Sequence, residues 1–310
     1  MLKSEKVLAV LLLAVALLGA CRASANVNSN ANAESTAESI RSMRVVTDDL
    51  GRTVNIPIKV TRVVSLAPNL TESIFAVGAD DRLVGVTTFC NYPEQAKAIA
   101  KIGDTMNPNM ESIVALKPDI VFVSTASQIE NFTRTLEANG IAVYIMNPTS
   151  MDGVFKNLRQ LGDVFGSVAT ADRVANDLQN RVKAVAEKSA KSGAVTRVFV
   201  QISKEPLFTI GKESFLTSIL KEVLAESVTA NVETAYPKLS KETASALDPE
   251  VIILSESEDN LEPNEVFKNS RAVKTKRVFK VNADLLSRPG PRLVDALEQI
   301  AGDLHPEKFN

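Results

Sequence analysis

Histidine occurs once in this 310-residue chain, at His305, beside Pro306 and near the C-terminus. A Ser-His-Asp triad needs a histidine within reach of the core and a paired-histidine metal site needs two, so those readings fall away. The plentiful carboxylates read as solvated helix faces, and no catalytic residue or metal site is nominated. Cysteine occurs twice, at Cys21 and Cys90, too few for a disulfide framework. Charge of one sign is not in excess: the formal net charge is −2, which argues against a nucleic-acid partner. No G-x-G-x-x-G follows a strand and no G-x-S-x-G elbow occurs. Ile210-Gly211-Lys212-Glu213-Ser214 is not a phosphate loop, because Pro206 stands where the first glycine is required and Glu213 follows the lysine.

What is present begins with an export pattern. Lys3 and Lys6 precede an apolar run from Val7 to Leu18, shorter than the ~20 residues a spanning helix needs. Residues 1–20 are therefore read as a signal peptide. The run ends in Leu18-Gly19-Ala20-Cys21, which resembles the bacterial lipobox and marks Cys21 as a lipidation site. Residues 21–43 then form a lipidated cysteine and tether, rich in Asn, Ala, Ser and Glu and poor in large apolar residues. A coil of this length reaches roughly 25 Å. The expected location is exported and lipid-anchored, on the periplasmic or cell-surface side.

The rest reads as α/β. Apolar stretches flank Asp48-Asp49-Leu50-Gly51 in a hairpin pattern. Strands are expected at residues 62–66, 83–87, 120–124 and 141–145, alternating with helices, which implies a mostly parallel sheet. Ala171, Val174, Leu178, Val182 and Val185 recur at helical spacing. One helix of ~20 residues, roughly 30 Å long, follows from that pattern. A second series of strands is expected at 197–201, 251–254 and 277–281, with a last helix from Pro291 to Leu304. The halves repeat: Glu111-Ser112-Ile113-Val114-Ala115-Leu116-Lys117-Pro118-Asp119-Ile120-Val121 aligns without a gap with Glu242-Thr243-Ala244-Ser245-Ala246-Leu247-Asp248-Pro249-Glu250-Val251-Ile252. The expected organisation is an N-terminal lobe at 44–168, an inter-lobe helix at 169–192 and a C-terminal lobe at 193–310.

Asp49-Leu50-Gly51-Arg52-Thr53-Val54, Arg62-Val63-Val64-Ser65-Leu66-Ala67-Pro68, Leu116-Lys117-Pro118-Asp119-Ile120-Val121 and the single long helix together resemble the class III solute-binding proteins of ABC importers. The likeness covers about 44–304. Asn91-Tyr92-Pro93-Glu94-Gln95-Ala96, Phe208-Thr209-Ile210-Gly211-Lys212-Glu213-Ser214 and Tyr236-Pro237-Lys238-Leu239-Ser240-Lys241-Glu242 look most like the cobalamin-binding branch. The resemblance implies two lobes with parallel sheets joined by one long helix, and a ligand held between them: cobalamin or a related corrinoid, with an iron–siderophore or haem as the alternative. It implies no cofactor beyond that ligand, no enzyme activity and a monomer. Its partners would be a permease dimer with its ATPase subunits. A tetrapyrrole- or metal-handling enzyme and a transporter-independent sensor are the readings from other classes. By the same resemblance Phe89, Tyr92, Phe208, Tyr236, Asp284 and Arg292 would face the ligand, and Glu111 and Glu242 would dock the permease. One departure stands out: the chain has no tryptophan, and Thr105 and Ser124 occupy positions where the branch commonly places it.

Overall fold

The computed structural model describes residues 43–124 and 129–309. The expected signal peptide, Cys21 and most of the tether lie outside the described residues. The described chain opens with the expected pair of strands, β1 (Met43–Thr47) and β2 (Thr53–Pro57). Asp48 closes the turn by accepting the Leu50 and Arg52 amides on Oδ1 at 3.0 and 2.9 Å and Arg52 Nε on Oδ2 at 2.8 Å. Gly51 takes the positive φ of 75° that the turn requires.

β3 (Val63–Ser65), α1 (Pro68–Ala76), β4 (Leu83–Val86), α2 (Met110–Ala115), β5 (Ile120–Ser124), α3 (Ile129–Ala138) and β6 (Ala142–Met146) build the first lobe. The strands pair in parallel in the order β4-β3-β5-β6. All five residues of β5 except the last are buried, as a sheet covered on both faces demands. Val64, Leu66, Ile113, Val121, Val143 and Ile145 share one core.

α4 (Met151–Phe165) and α5 (Val168–Ser189) follow. α5 is the expected long helix, 22 residues or about 33 Å. A short 3-10 turn at Ala190–Ser192 continues it, and Gly193 ends that turn at φ 78°. α4 was not among the expected elements. It packs so closely on α5 that a Cβ on Gly162 would collide with the Cβ of Ala171.

The second lobe comprises β7 (Thr196–Gln201), α6 (Phe215–Glu222), β8 (Ala225–Ser227), α7 (Lys241–Ser245), β9 (Val251–Glu256), α8 (Arg271–Lys274), β10 (Val278–Asn282), α9 (Ala283–Ser287), α10 (Leu293–Leu304) and α11 (Pro306–Phe309). Its parallel order is β10-β9-β7-β8. Numbered within each lobe, both sheets run second-first-third-fourth strand, so the sequence repeat is a repeat of topology. The likeness extends to single bonds. Asp119 Oδ2 accepts the Arg62 amide at 2.9 Å, and Glu250 Oε2 accepts the Arg197 amide at 3.1 Å. Arg62 donates to the Leu116 carbonyl and Arg197 to the Leu247 carbonyl. Lys117 and Asp248 both adopt positive φ, 47° and 38°. α5 is tied to the second lobe by Arg181, which bonds Asp295 and Glu298 of α10 at 2.6 Å each. Among the described residues no helix is long and apolar enough to cross a membrane.

Candidate ligand-binding cleft

Open parallel sheets present their ligand crevices beyond the carboxyl ends of the strands. The loops after β3, β4, β6 and β10, with the end of β5, converge here on a cleft of about 650 Å³. The second lobe thus contributes the loop after β10 beside the first-lobe loops, and it forms the opposite wall through Glu213-Ser214-Phe215 and Ala235-Tyr236. Phe89 and Tyr236 face each other's lobes from these walls, 58% and 43% exposed. Exposed rings on both walls are not core residues, since core aromatics such as Phe122 and Phe199 are fully buried. Asn69, Asn147, Thr149 and Ser287 add hydrogen-bonding groups, and Thr105 and Ser124 add small polar ones.

The Tyr236 wall is held by backbone geometry. Gly211 donates to the Ala235 carbonyl at 2.9 Å and Thr209 to the Pro237 carbonyl at 3.1 Å. Gly211 is obligatory, because any Cβ there would run into the Thr234 carbonyl. Burial of the Tyr236 phenol pushes its pKa above the ordinary tyrosine value, against a smaller opposing effect of its hydrogen bond with Ser214.

Asp284 also lines the cleft. Its carboxylate accepts Arg288 Nη2 at 2.6 Å and Asn91 Nδ2 at 3.1 Å. Arg288 was not among the expected residues. It and Asn69, Glu213 and Phe215 sit on loops or helix starts beyond strands, a placement that only the assembled topology reveals.

Three expected cleft residues stand elsewhere. Phe208 does not line the cleft; its backbone makes isolated bridges to Ser203 and Lys238. Tyr92 and Arg292 line a neighbouring pocket of about 360 Å³ instead. The cause is Glu72, which draws Arg292 to itself at 2.6 and 2.9 Å. The guanidinium then stacks 3.9 Å above the Tyr92 ring, a cation–π arrangement.

Glu111 and Glu242 are exposed first-turn residues of α2 and α7. Each stands two residues after a side-chain N-cap, Asn109 accepting the Ser112 amide and Ser240 accepting the Thr243 amide. Hydrogen bonding from its own amide and from Ser240 holds the Glu242 carboxyl below the usual range. Cys90 is buried, with Thr71 Oγ1 and Thr87 Oγ1 at 3.1 and 3.2 Å from its sulfur. His305 is buried away from the cleft residues, Nε2 lying 2.7 Å from the Val223 carbonyl. Among the described residues no group of three His, Cys, Asp or Glu side chains could hold a metal ion.

Residues 63–285 match the family profile described as periplasmic binding protein. An uncharacterized ABC transporter substrate-binding lipoprotein of Bacillus subtilis (strain 168) is 30% identical, with 100% of this chain and 99% of that protein aligned. A vitamin B12-binding protein of Pectobacterium atrosepticum is 30% identical over 78% of this chain and 88% of its own length. Among solved structures, the periplasmic vitamin B12 binding protein of Vibrio cholerae superposes with a TM-score of 0.71. It shows 26% identity and covers 81% of this chain and 99% of its own.

Proposed function

The chain belongs to the periplasmic binding protein family, and we propose that it captures cobalamin or a related corrinoid in the cleft and delivers it to an ABC importer, acting as a binding protein without a catalytic step. The observation that carries this reading is the pair of exposed rings, Phe89 and Tyr236, on opposite walls of one cleft. A corrin is broad, flat and largely apolar with an amide-bearing rim. Aromatic faces supply contact area at low entropy cost, and a few polar groups fix orientation. The amide rim offers N–H donors, and the Asp284 and Glu213 carboxylates and the side chains of Asn69 and Asn147 are acceptors for them. The names of the Pectobacterium and Vibrio proteins support the same solute.

The charge of the cleft disfavours haem and anionic siderophores. Arg288 is already engaged by Glu72 and Asp284, so it does not meet a propionate as a free cation. Calorimetry with cyanocobalamin, cobinamide, haemin and a ferric siderophore tests the assignment. Corrinoid binding at one-to-one stoichiometry is expected. Tyr236→Ala is expected to weaken it by about tenfold or more, since a stacked ring contributes ~0.5–1.5 kcal/mol beyond its buried area. Phe208→Ala is expected to change it far less. Siderophore or haem binding with no heat from any corrinoid would rule out the corrinoid reading.

The lipobox-like Cys21 and the name of the Bacillus relative support attachment to the membrane through lipid. A Cys21→Ser protein is expected to leave the membrane fraction with its solute affinity intact. Persistent membrane fractionation would mean that another element anchors it.

A further inference from the structure

Glu72 lies within α1, its side chain only 2% exposed, and it is not among the residues lining the cleft. A buried carboxylate is costly unless its oxygens are fully engaged. Here Oε1 accepts Arg288 Nη1 at 2.9 Å and Arg292 Nη2 at 2.6 Å, and Oε2 accepts Arg292 Nε at 2.9 Å. Both arginines come from the second lobe. Arg288 carries the connection onward. Its Nη1 also donates to Asn91 Oδ1 at 2.8 Å, and its Nη2 to Asp284 Oδ1 at 2.6 Å and the Phe89 carbonyl at 3.4 Å. Asn91 Nδ2 closes the ring on Asp284 Oδ2. Two terminal nitrogens thus serve four acceptors drawn from both lobes. A planar guanidinium can do this and an ammonium cannot.

We propose that Glu72 is a positioning residue for the cleft: it fixes Arg288, which holds the Phe89–Asn91 loop and the Asp284 carboxylate in place before solute arrives. The proposal rests on the cleft being the solute site, but its first test needs no solute. The Tyr236 wall is held by separate backbone bonds, so releasing Glu72 loosens one wall and spares the other. A merely structural role would loosen both.

The absence of tryptophan makes Phe89→Trp and Tyr236→Trp single-indole reporters. Time-resolved fluorescence anisotropy of the solute-free protein would then be compared with and without Glu72→Gln. Lower residual anisotropy is expected in the Phe89→Trp background and none of that loss in the Tyr236→Trp background. Equal loss in both, or no loss at position 89, overturns the proposal. Arg288→Lys keeps the charge but cannot span four acceptors, and should give the same one-sided pattern. Failure of both variants to fold would show the network to be structural and likewise overturn it. With the native cleft, Glu72→Gln is expected to weaken cyanocobalamin binding roughly tenfold or more, the scale at which partners orienting a binding group act. Unchanged affinity would refute the role. If the unaltered protein binds no corrinoid, the solute assignment fails, while anisotropy still decides the role of Glu72.

Discussion

Tyr144 in β6 buries its ring and donates its hydroxyl to the Thr47 carbonyl at 2.9 Å. Burial raises its pKa well above the ordinary value near 10, and Asp49 and Asp48 add to the rise. The folded state therefore holds a proton that the unfolded chain releases at ~10. The associated stability is complete below that pH and is lost as pH rises toward the folded-state pKa. Tyr144→Phe removes the titration at the cost of the Thr47 bond, roughly 1 kcal/mol. Thermal melts should show the variant less stable at pH 7, with the gap narrowing above pH ~10. A gap independent of pH would mean that the phenol does not titrate with unfolding. At this same scale the site was partly readable in advance. The resemblance points to Phe89, Tyr236 and Asp284, and a tyrosine before proline in a polar stretch is poorly placed for a core; all three line the cleft. The resemblance points equally to Tyr92 and Arg292, but Glu72 claims Arg292 from 220 positions away along the chain. No local pattern encodes such a capture.

The repeated unit is the clearest case at the level of elements. Its alignment predicted two like lobes, and the structure repeats the strand order, the Arg-to-carbonyl bonds and the positive φ before Pro118 and Pro249. That φ strains any residue with a Cβ, by ~1–2 kcal/mol. Lys117 is exposed, so Lys117→Gly relieves the strain, partly offset by the greater freedom of glycine in the unfolded chain. The expected net gain is a few tenths to about 1 kcal/mol. Asp248 differs, because its Oδ1 accepts the Arg271 amide at 2.8 Å. Asp248→Gly gives up that bond, worth about 1 kcal/mol, and should yield no gain. Urea denaturation of both variants checks the contrast, and a matching gain at both sites would rule out the explanation from Arg271. The elements that escaped the sequence reading did so for different reasons. β8 is three residues long and exists by pairing with β7. α4 was legible locally, with helical spacing, Ser150 as its N-cap and Gly166 at φ 70° as its stop, while its seat against α5 depends on the bare face of Gly162 against Ala171.

For the whole molecule, two lobes of one topology imply that each position in the repeated unit of one lobe has an equivalent position in the other. Glu111 and Glu242 are such a pair, each exposed in the first turn of a helix whose N-cap is supplied by a side chain. A carboxylate at a helix start is favoured by the free N–H groups and the helix dipole, which accounts for either residue singly. It does not require the same residue at equivalent places in both lobes, since an aspartate would meet the same dipole. A solute-binding protein that meets a permease dimer needs one contact per subunit, and a pair of acidic groups related by the internal repeat suits that geometry. Charges at an interface rim steer association and set register more than they add affinity. The double variant Glu111→Lys with Glu242→Lys should therefore retain solute affinity by calorimetry. In reconstituted vesicles it should lose both uptake and stimulation of the transporter's ATPase. Each single reversal should weaken transport less than the pair does, and the defect should vary with ionic strength, because exposed charges are screened within ~10 Å at 0.1 M salt. Uptake that survives the double reversal would leave the two glutamates as helix-start carboxylates and nothing more.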